Sequence, residues 1–219
     1  MSCVILSKTY AEPPFCKKEI LRYAGCSNEP REISNLMKEC IGEVRNKLAY
    51  KVCWGRFPVK IEGDICDFGA FRLKSENLAV NLAGCEGAII FAATIGVEID
   101  RLIAKYGRLS QSKALMLQAI GTERIEALCD AFCEDIKNQI GMGLRPRFSA
   151  GYGDLPLEAQ EHIFAVLDCS KRIGLSLNNS LLMSPSKSVT AFVGLSDSTE
   201  KQNKCSSCDK LDCTFRGAR

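Results

Sequence analysis

The chain has 219 residues, of which 46% are apolar and 25% are charged, and its formal net charge at pH 7 is +3. This length suits one globular domain, or one domain with an appendage. Because basic residues alternate with acids, we expect neither nucleic-acid binding nor a polybasic membrane patch. The longest apolar run, residues 87–97, is well short of the ~18 residues of a membrane-spanning helix, so we expect no membrane segment.

The sequence contains 13 cysteines and a single histidine, His162. With no secretory signal at the N-terminus, we expect a cytoplasmic protein whose thiols stay reduced. Most of these cysteines, such as Cys40, Cys129 and Cys133, fall in apolar helical patterns, where a thiol acts as a small hydrophobe. One histidine excludes multi-histidine metal sites and makes histidine-activated nucleophiles improbable, so we assign His162 to packing or to the surface.

The first half of the chain alternates helical and extended patterns. Apolar residues at positions 33, 37, 41, 44 and 48 recur at helical spacing, which predicts one buried face. In chain order we predict a helix over residues 17–24, a helix that begins near Pro30, two strands between residues 53 and 73 joined by a turn at residues 62–64, and a helix from the Ser75 cap to Leu82.

The second half continues this alternation. In chain order we predict a strand over residues 88–93, a helix to about Tyr106, a long helix capped by Ser110, a helix over residues 155–172 and a strand over residues 188–195. We assign Asp154 mainly to capping the helix that begins at about Leu155. The pattern by itself favours a doubly wound parallel sheet.

A loop at residues 145–156 combines two arginines, a tyrosine and two glycines between two predicted helices. Glycine lets the backbone approach a ligand closely, a guanidinium binds a carboxylate through two hydrogen bonds, and an aromatic face can contact a cation. This composition indicates a loop that binds a small ligand.

Three segments, in the same order along the chain, resemble the activation domain of cobalamin-dependent methionine synthase, which binds S-adenosylmethionine. Residues 147–152, Arg-Phe-Ser-Ala-Gly-Tyr, resemble its arginine-to-Gly-Tyr loop. Residues 119–127 resemble its long helix, and residues 183–189, Met-Ser-Pro-Ser-Lys-Ser-Val, resemble its late Met-x-Pro-x-x-Ser-Val segment. The similarity is strongest to small free-standing relatives of that domain and spans nearly everything before residue 198.

The resemblance implies an α+β fold with a twisted, largely antiparallel sheet flanked by helices, in place of the doubly wound sheet. It implies an activation-domain-like unit over residues 1–198, followed by a polar linker and a cysteine-bearing tail over residues 199–219. Two features of the larger enzyme's domain have no counterpart here: an acidic residue near its start and an aromatic pair soon after its final strand.

The resemblance also assigns candidate contacts to S-adenosylmethionine. Arg147 would hold the ligand carboxylate, Glu126 would balance its positive amine or sulfonium, and Tyr152 would offer a ring or hydroxyl, with Ala150 and Gly151 allowing close backbone approach. Without the resemblance, the residue types also fit simpler roles. Arg147 could form a structural ion pair, Glu126 could be a solvated helical glutamate, and the Gly-Tyr pair could be a turn glycine before a core aromatic.

The C-terminal tail carries a Cys-x-x-Cys pair and a third thiol: Cys205, Cys208 and Cys213. Neighbouring thiolates converge on a soft ion, so this spacing predicts zinc or an iron–sulfur cluster, with Cys169 or a partner's thiol as the fourth ligand. The alternatives are a tail that binds no metal and one that is redox-active through a disulfide.

The function implied by the resemblance is that of a free-standing methyltransferase component. It would bind S-adenosylmethionine and support reductive methylation of the cobalamin carried by a separate methionine synthase that lacks its own activation domain, with a flavodoxin or ferredoxin as electron donor. The alternatives are an accessory protein or reductive activator of another corrinoid methyltransferase, and a metal- or redox-sensing module on the same fold.

Overall fold

The computed structural model describes residues 3–26 and 28–196. The helices are α1 (Lys17–Tyr23), α2 (Arg31–Val44), α3 (Glu76–Asn81), α4 (Glu98–Leu109), α5 (Gln111–Ile140), α6 (Ala159–Leu167) and α7 (Cys169–Ile173). The strands are β1 (Ile5–Thr9), β2 (Lys51–Pro58), β3 (Lys60–Glu62), β4 (Ile65–Asp67), β5 (Arg72–Lys74), β6 (Gly87–Thr94), β7 (Gly143–Leu144), β8 (Ser176–Leu177), β9 (Met183–Ser184) and β10 (Ser188–Ser196).

A five-stranded sheet with the order β1-β2-β6-β10-β7 forms the centre of the fold, and all its pairings are antiparallel. Two small antiparallel sheets accompany it, β3-β4-β5 and β8-β9. This confirms the predicted α+β class with a largely antiparallel sheet. The parallel arrangement that element alternation favours is wrong, because β6 and β10 pair directly in antiparallel register.

The central sheet is buried on both faces. Along β6, Ile89 and Phe91 belong to one hydrophobic core, whereas Ala88, Ile90 and Ala92 belong to the other. This alternation follows from the opposite directions of successive side chains in a strand. The first core packs against α1, α2 and α5, and the second is covered by α3, α6, α7 and the small sheet β3-β4-β5.

Several predicted boundaries are confirmed. The Ser75 hydroxyl accepts a hydrogen bond from the Leu78 amide at 3.0 Å, and Ser110 caps the 30-residue helix α5. The turn at residues 62–64 joins β3 and β4, with Gly63 at a φ of +63°. The predicted strand at residues 188–195 is β10, which ends one residue later.

The single helix predicted over residues 155–172 is wrong. The helical structure begins at Ala159 and is divided at Asp168, whose φ of +50° lies in the left-handed region and separates α6 from α7. Gly174, with a φ of +72°, follows the end of α7. The domain boundary at residue 198 and the tail lie outside the described residues, so that division stays a prediction.

Candidate functional site

Helix α5 presents a polar stripe on one face. Thr122, Glu126 and Asp130 are spaced four residues apart and therefore follow one another at successive turns. The Glu126 side chain is 42% exposed and that of Asp130 is 73% exposed, so the stripe is open to solvent.

Arg147 ties the loop after β7 to this stripe. Its Nη2 lies 2.7 Å from Glu126 Oε2 and its Nη1 lies 2.5 Å from Asp130 Oδ1, while only 13% of its side chain is exposed. Burial alone would lower the pKa of Arg147, but the surrounding acidic groups outweigh it and raise that pKa. The ion pair named as the simpler role for Arg147 therefore exists, and one of its partners is the predicted site residue Glu126.

Backbone pairing with β10 fixes the position of Arg147. The Arg145 amide donates to the Gly194 carbonyl at 2.8 Å, and Phe148 and Phe192 exchange two hydrogen bonds of 2.9 and 2.8 Å. Arg147 thus lies between two points anchored on the central sheet. Arg145 has a structural role, since it is half-buried and its guanidinium donates to the Ala83 carbonyl at 3.2 Å.

The Gly-Tyr pair forms a tight turn directly after this anchored segment. Gly151 has a φ of +85°, a conformation that favours glycine, and its amide donates to the Leu155 carbonyl at 2.9 Å. Ala150 packs against the second hydrophobic core. Tyr152 is 66% exposed, which excludes the core-aromatic alternative for this residue and leaves its ring available to a ligand.

Asp154 caps a helix, but a different one from that predicted. Its carboxylate accepts hydrogen bonds from the Glu76 amide at 2.6 Å, the Asn77 amide at 3.2 Å and the Ser75 hydroxyl at 2.5 Å. These donors lie at the N-terminus of α3, so Asp154 fastens the Gly-Tyr turn to α3 and not to the following helix. The four hydrogen bonds to Asp154, including one from the Asn77 side chain, lower its pKa to about 2.

Two residues that sequence reasoning had not placed in the site flank the α5 stripe. Lys187 Nζ lies 3.1 Å from Thr122 Oγ1, and burial lowers the pKa of Lys187. Tyr23 of α1 is half-buried, and its burial and the nearby charge of Glu126 raise its pKa. Lys187 falls within the recognised segment at residues 183–189, whereas no local pattern connects Tyr23 with a residue more than 100 positions away.

Ser188, which belongs to the same recognised segment, has a structural role. It is 8% exposed, and its hydroxyl lies 2.8 Å from both Thr94 Oγ1 and the Pro185 carbonyl. The hydroxyl thus fixes the start of β10. His162 also has the packing role expected, since its ring stacks on Phe71 at a centroid distance of 5.2 Å.

The structure therefore brings Arg147 and Glu126 into direct contact and places Ala150, Gly151 and Tyr152 on the turn that follows Arg147. Their contact with a ligand stays a prediction. A guanidinium paired with a half-exposed carboxylate is complementary to a molecule that carries both an amine and a carboxylate, because each charge of the pair can take an opposite charge of that molecule.

The predicted metal ligands Cys205, Cys208 and Cys213 lie outside the described residues. Within residues 3–26 and 28–196, no group of three or more His, Cys, Asp or Glu side chains is arranged to hold a metal ion. Cys169 is 1% exposed and lies in the second hydrophobic core, so it is poorly placed to complete a site on the tail. No helix among the described residues is both long enough and apolar enough to cross a membrane.

Comparison with known proteins identifies the fold. No family profile matches this chain, and no curated protein matches it. The structure is similar to the crystal structure of the MetH reactivation domain bound to AdoHcy, with a TM-score of 0.66 and 14% sequence identity, over 90% of this chain and 80% of that chain. The chain therefore has the fold of that reactivation domain, as the three sequence motifs predicted.

Proposed function

We propose that this chain, which has the fold of a reactivation domain solved with AdoHcy, binds S-adenosylmethionine and supports reductive methylation of cobalamin on a separate methionine synthase. The observation that carries the proposal is the Arg147–Glu126 ion pair beside the Gly151–Tyr152 turn. Two of the three recognised motifs contain this pair and this turn, and the fold brings the pair into contact.

The methionine end of S-adenosylmethionine is a zwitterion next to a sulfonium. Its carboxylate would bind Arg147, and its positive amine or sulfonium would lie near Glu126. Binding would thus replace the Arg147–Glu126 ion pair within the protein by two ion pairs between the protein and the ligand. The exposed ring of Tyr152 would offer a π-face to the sulfonium.

The role proposed for the protein is placement of the methyl group. An electron donor such as a flavodoxin or ferredoxin reduces cobalt(II) of the partner's cobalamin to cobalt(I). The carbon–sulfur bond then breaks, a carbon–cobalt bond forms, and S-adenosylhomocysteine leaves. Because the sulfonium is already a good leaving group, no general base is needed, and holding the methyl group in line with cobalt provides the catalysis.

Isothermal titration with S-adenosylmethionine tests the ligand. We expect saturable binding by the wild type and a loss of about tenfold or more in Arg147→Ala, because a hydrogen-bonded charged contact disappears. The control is Arg72→Ala, which removes an arginine paired with Asp67 at a similar 2.7 Å in the small sheet β3-β4-β5. Folded protein that gives no heat, or undiminished binding by Arg147→Ala, would contradict the ligand assignment and favour a metal- or redox-sensing module.

Reconstitution tests the partner. The chain is mixed with S-adenosylmethionine, a reductant and a methionine synthase that lacks its own activation domain, and cobalt(II) cobalamin is followed by absorbance. We expect methylcobalamin with the wild type and none with Arg147→Ala. If S-adenosylmethionine binds but methylcobalamin does not form, an accessory role for another corrinoid methyltransferase becomes the better assignment.

A further inference from the structure

A cleft lies away from the proposed site, between residues 12–17 and one face of helix α2. Its volume is about 600 Å³, which falls within the size range of sites for small organic ligands. Arg124, which supports one wall of this cleft, and Glu126, which belongs to the proposed site, project from α5 about 200° apart. The two sites therefore lie on nearly opposite sides of that helix.

Helix α2 supplies one wall through residues at helical spacing. Lys38, Ile41, Gly42 and Arg45 all line the cleft and follow one another at intervals of three, one and three residues. Glycine is a poor helix former, yet Gly42 lies inside α2 and no atom lies within 4 Å of the position its Cβ would take. The absent side chain leaves open space at the wall of the cleft.

The opposite wall is held by a buried ion pair that the proposed reaction does not use. Arg124 is fully buried, pairs with Glu123 and donates to the carbonyl of Pro13 at 2.5 Å and to that of Pro14 at 2.7 Å. Glu123 in turn accepts from the Cys16 amide at 3.0 Å. Burying two charges is costly unless they are paired and hydrogen-bonded, and here their hydrogen bonds fix the backbone of the wall. The cleft is therefore preformed.

The cleft has an excess of positive charge. Lys17, Lys38 and Arg45 line it, and none of them has a carboxylate within ion-pairing distance among the residues that the structure describes. Lys38 lies on α2, and Arg45 is the residue directly after its end. Three unpaired cations around one cavity attract an anion with more than one negative charge.

The nearby acids cancel only part of this charge. Glu12, which also lines the cleft, directs one carboxylate oxygen to the Asn46 amide at 3.1 Å and the Tyr50 hydroxyl at 3.5 Å. On α2, Glu39 and Glu43 both lie within ion-pairing distance of Lys113 of α5. The residues that line the cleft therefore carry three positive charges and the one negative charge of Glu12, a formal excess of two positive charges.

Between the cations the cleft is apolar. Pro13, Pro14, Phe15 and Ile41 line it, and the Arg124 guanidinium lies 3.9 Å from the centroid of the Phe15 ring. The Arg45 guanidinium lies 5.8 Å from the same centroid. Because Arg124 is fully buried, it supports the Phe15 ring from behind, and the surfaces left for a ligand are those of the prolines, Phe15 and Arg45. Such surfaces suit a flat ring, which stacks on them without needing hydrogen bonds.

We propose that this cleft binds a nucleoside diphosphate, with the phosphates among Lys17, Lys38 and Arg45 and the base against Pro13 and Phe15. A diphosphate provides the multiple negative charges that three cations require, and a base provides the flat apolar portion. The inference goes beyond the proposed methylation role and does not depend on it.

Titration of the full chain with ADP tests the site. We expect saturable binding by the wild type and a loss of about tenfold or more in Gly42→Leu, whose side chain would fill the cleft without a clash and in a residue that favours helix. The matched control is Gly107→Leu in α4, because Gly107 is also an exposed helical glycine with open space at its Cβ position, and we expect its affinity to be unchanged. Absence of ADP binding by folded wild type, or equal affinity in Gly42→Leu, would overturn the proposal.

Further titrations with charge variants and with parts of ADP identify the class of ligand. Lys38→Gln and Arg45→Gln should each weaken ADP by about tenfold, through loss of a charge-assisted hydrogen bond. Inorganic pyrophosphate and adenosine should each bind more weakly than ADP, and pyrophosphate binding as tightly as ADP would overturn the role of the base.

The location of the site is tested against the proposed S-adenosylmethionine site. ADP should bind equally well to Arg147→Ala and together with S-adenosylmethionine. Competition between ADP and S-adenosylmethionine would overturn the proposal of a separate site. Failure of S-adenosylmethionine to bind would contradict the proposed function but not the ADP site.

Discussion

Arg147 binds two carboxylates at once, and a ligand carboxylate must therefore compete with them. Glu126 is the half-exposed partner that the recognised motif includes, whereas Asp130 is 73% exposed and was not assigned to the site. Exposed ion pairs contribute little to stability, typically under ~1 kcal/mol. Asp130 thus acts more as a competitor for the guanidinium than as a support for it.

Substitution of the two acids should therefore change the affinity for S-adenosylmethionine differently. Asp130→Asn frees the Arg147 Nη1 and should leave S-adenosylmethionine affinity unchanged or tighten it by up to about tenfold. Glu126→Gln keeps the side-chain size but removes the charge opposite the amine or sulfonium, and should weaken binding by about tenfold. Isothermal titration measures both, and thermal unfolding checks that each variant is folded. Equal weakening by the two substitutions would indicate that the stripe on α5 only positions the loop.

The candidate residues differ in how far the sequence could identify them. Arg147 and Glu126 were recognisable because each lies in a local motif, and the fold then brings the two motifs together. Tyr23 could not be predicted, since it approaches Glu126 only through the packing of α1 on α5. Asp154 was predicted to be a helix cap from its residue type and position before a proline, but residue type does not specify which helix end it meets.

At the scale of elements, Asp154 joins two segments that are about 80 residues apart. Its carboxylate accepts backbone hydrogen bonds at the N-terminus of α3, where free amide groups and the helix dipole favour a negative charge. The same aspartate follows the Gly-Tyr turn immediately. The cap on α3 therefore also holds the turn that carries Tyr152.

Asp154→Asn should lower the melting temperature at pH 7 by a few degrees, the usual scale for loss of a helix cap. Because the pKa of Asp154 is lowered from 3.8 to about 2 in the folded state, its contribution to stability is complete above the unfolded pKa and disappears as pH falls towards 2. The difference in melting temperature between wild type and variant should be constant above pH 5 and shrink between pH 4 and pH 2.

The matched control for this prediction is Asp64→Asn, which removes an exposed carboxylate that pairs with Lys74 at 3.4 Å in the neighbouring small sheet. Its effect on melting temperature should be smaller than that of Asp154→Asn at pH 7. If the difference in melting temperature between wild type and Asp154→Asn persists unchanged at pH 2, the introduced side-chain amide, and not the loss of the negative charge, causes the destabilisation.

Elements with strong periodic or capping signals were predictable, and those that depend on tertiary contacts were not. Helix α5 has a broad apolar surface and a serine cap, and its start was predicted correctly. The break between α6 and α7 depends on Asp168 in a left-handed conformation, which aspartate tolerates but does not require. The two-residue strands β7, β8 and β9 are too short to produce a periodic pattern.

At the scale of the whole molecule, the strand order could not follow from the pattern. Strand β6 is buried on both faces and consists mainly of apolar residues, a pattern typical of parallel sheets as well as of this antiparallel one. The resemblance of three motifs resolved this choice, and the fold comparison confirms it. Among the residues that the structure describes, the last member of the two hydrophobic cores is Leu195 of β10.

The described residues already form two hydrophobic cores, and we therefore predict that the cysteine tail and the fold are separable. Replacing Cys205, Cys208 and Cys213 with serine should abolish bound metal, about one ion or cluster per chain in the wild type, and leave the melting temperature and S-adenosylmethionine affinity unchanged. Metal content is measured by elemental analysis. Visible absorption with iron would support electron transfer through the tail, and colourless zinc would indicate a structural role.

Cys16→Ser is the matched control, because Cys16 is an exposed thiol in the described part of the chain and belongs to no predicted metal site. Its metal content should equal that of the wild type. Wild-type protein that contains no metal when purified under reducing, oxygen-free conditions would contradict the metal assignment and favour a tail that binds none. A triple variant that unfolds at lower temperature would contradict the separation of tail and fold, because the two cores would then depend on residues beyond β10.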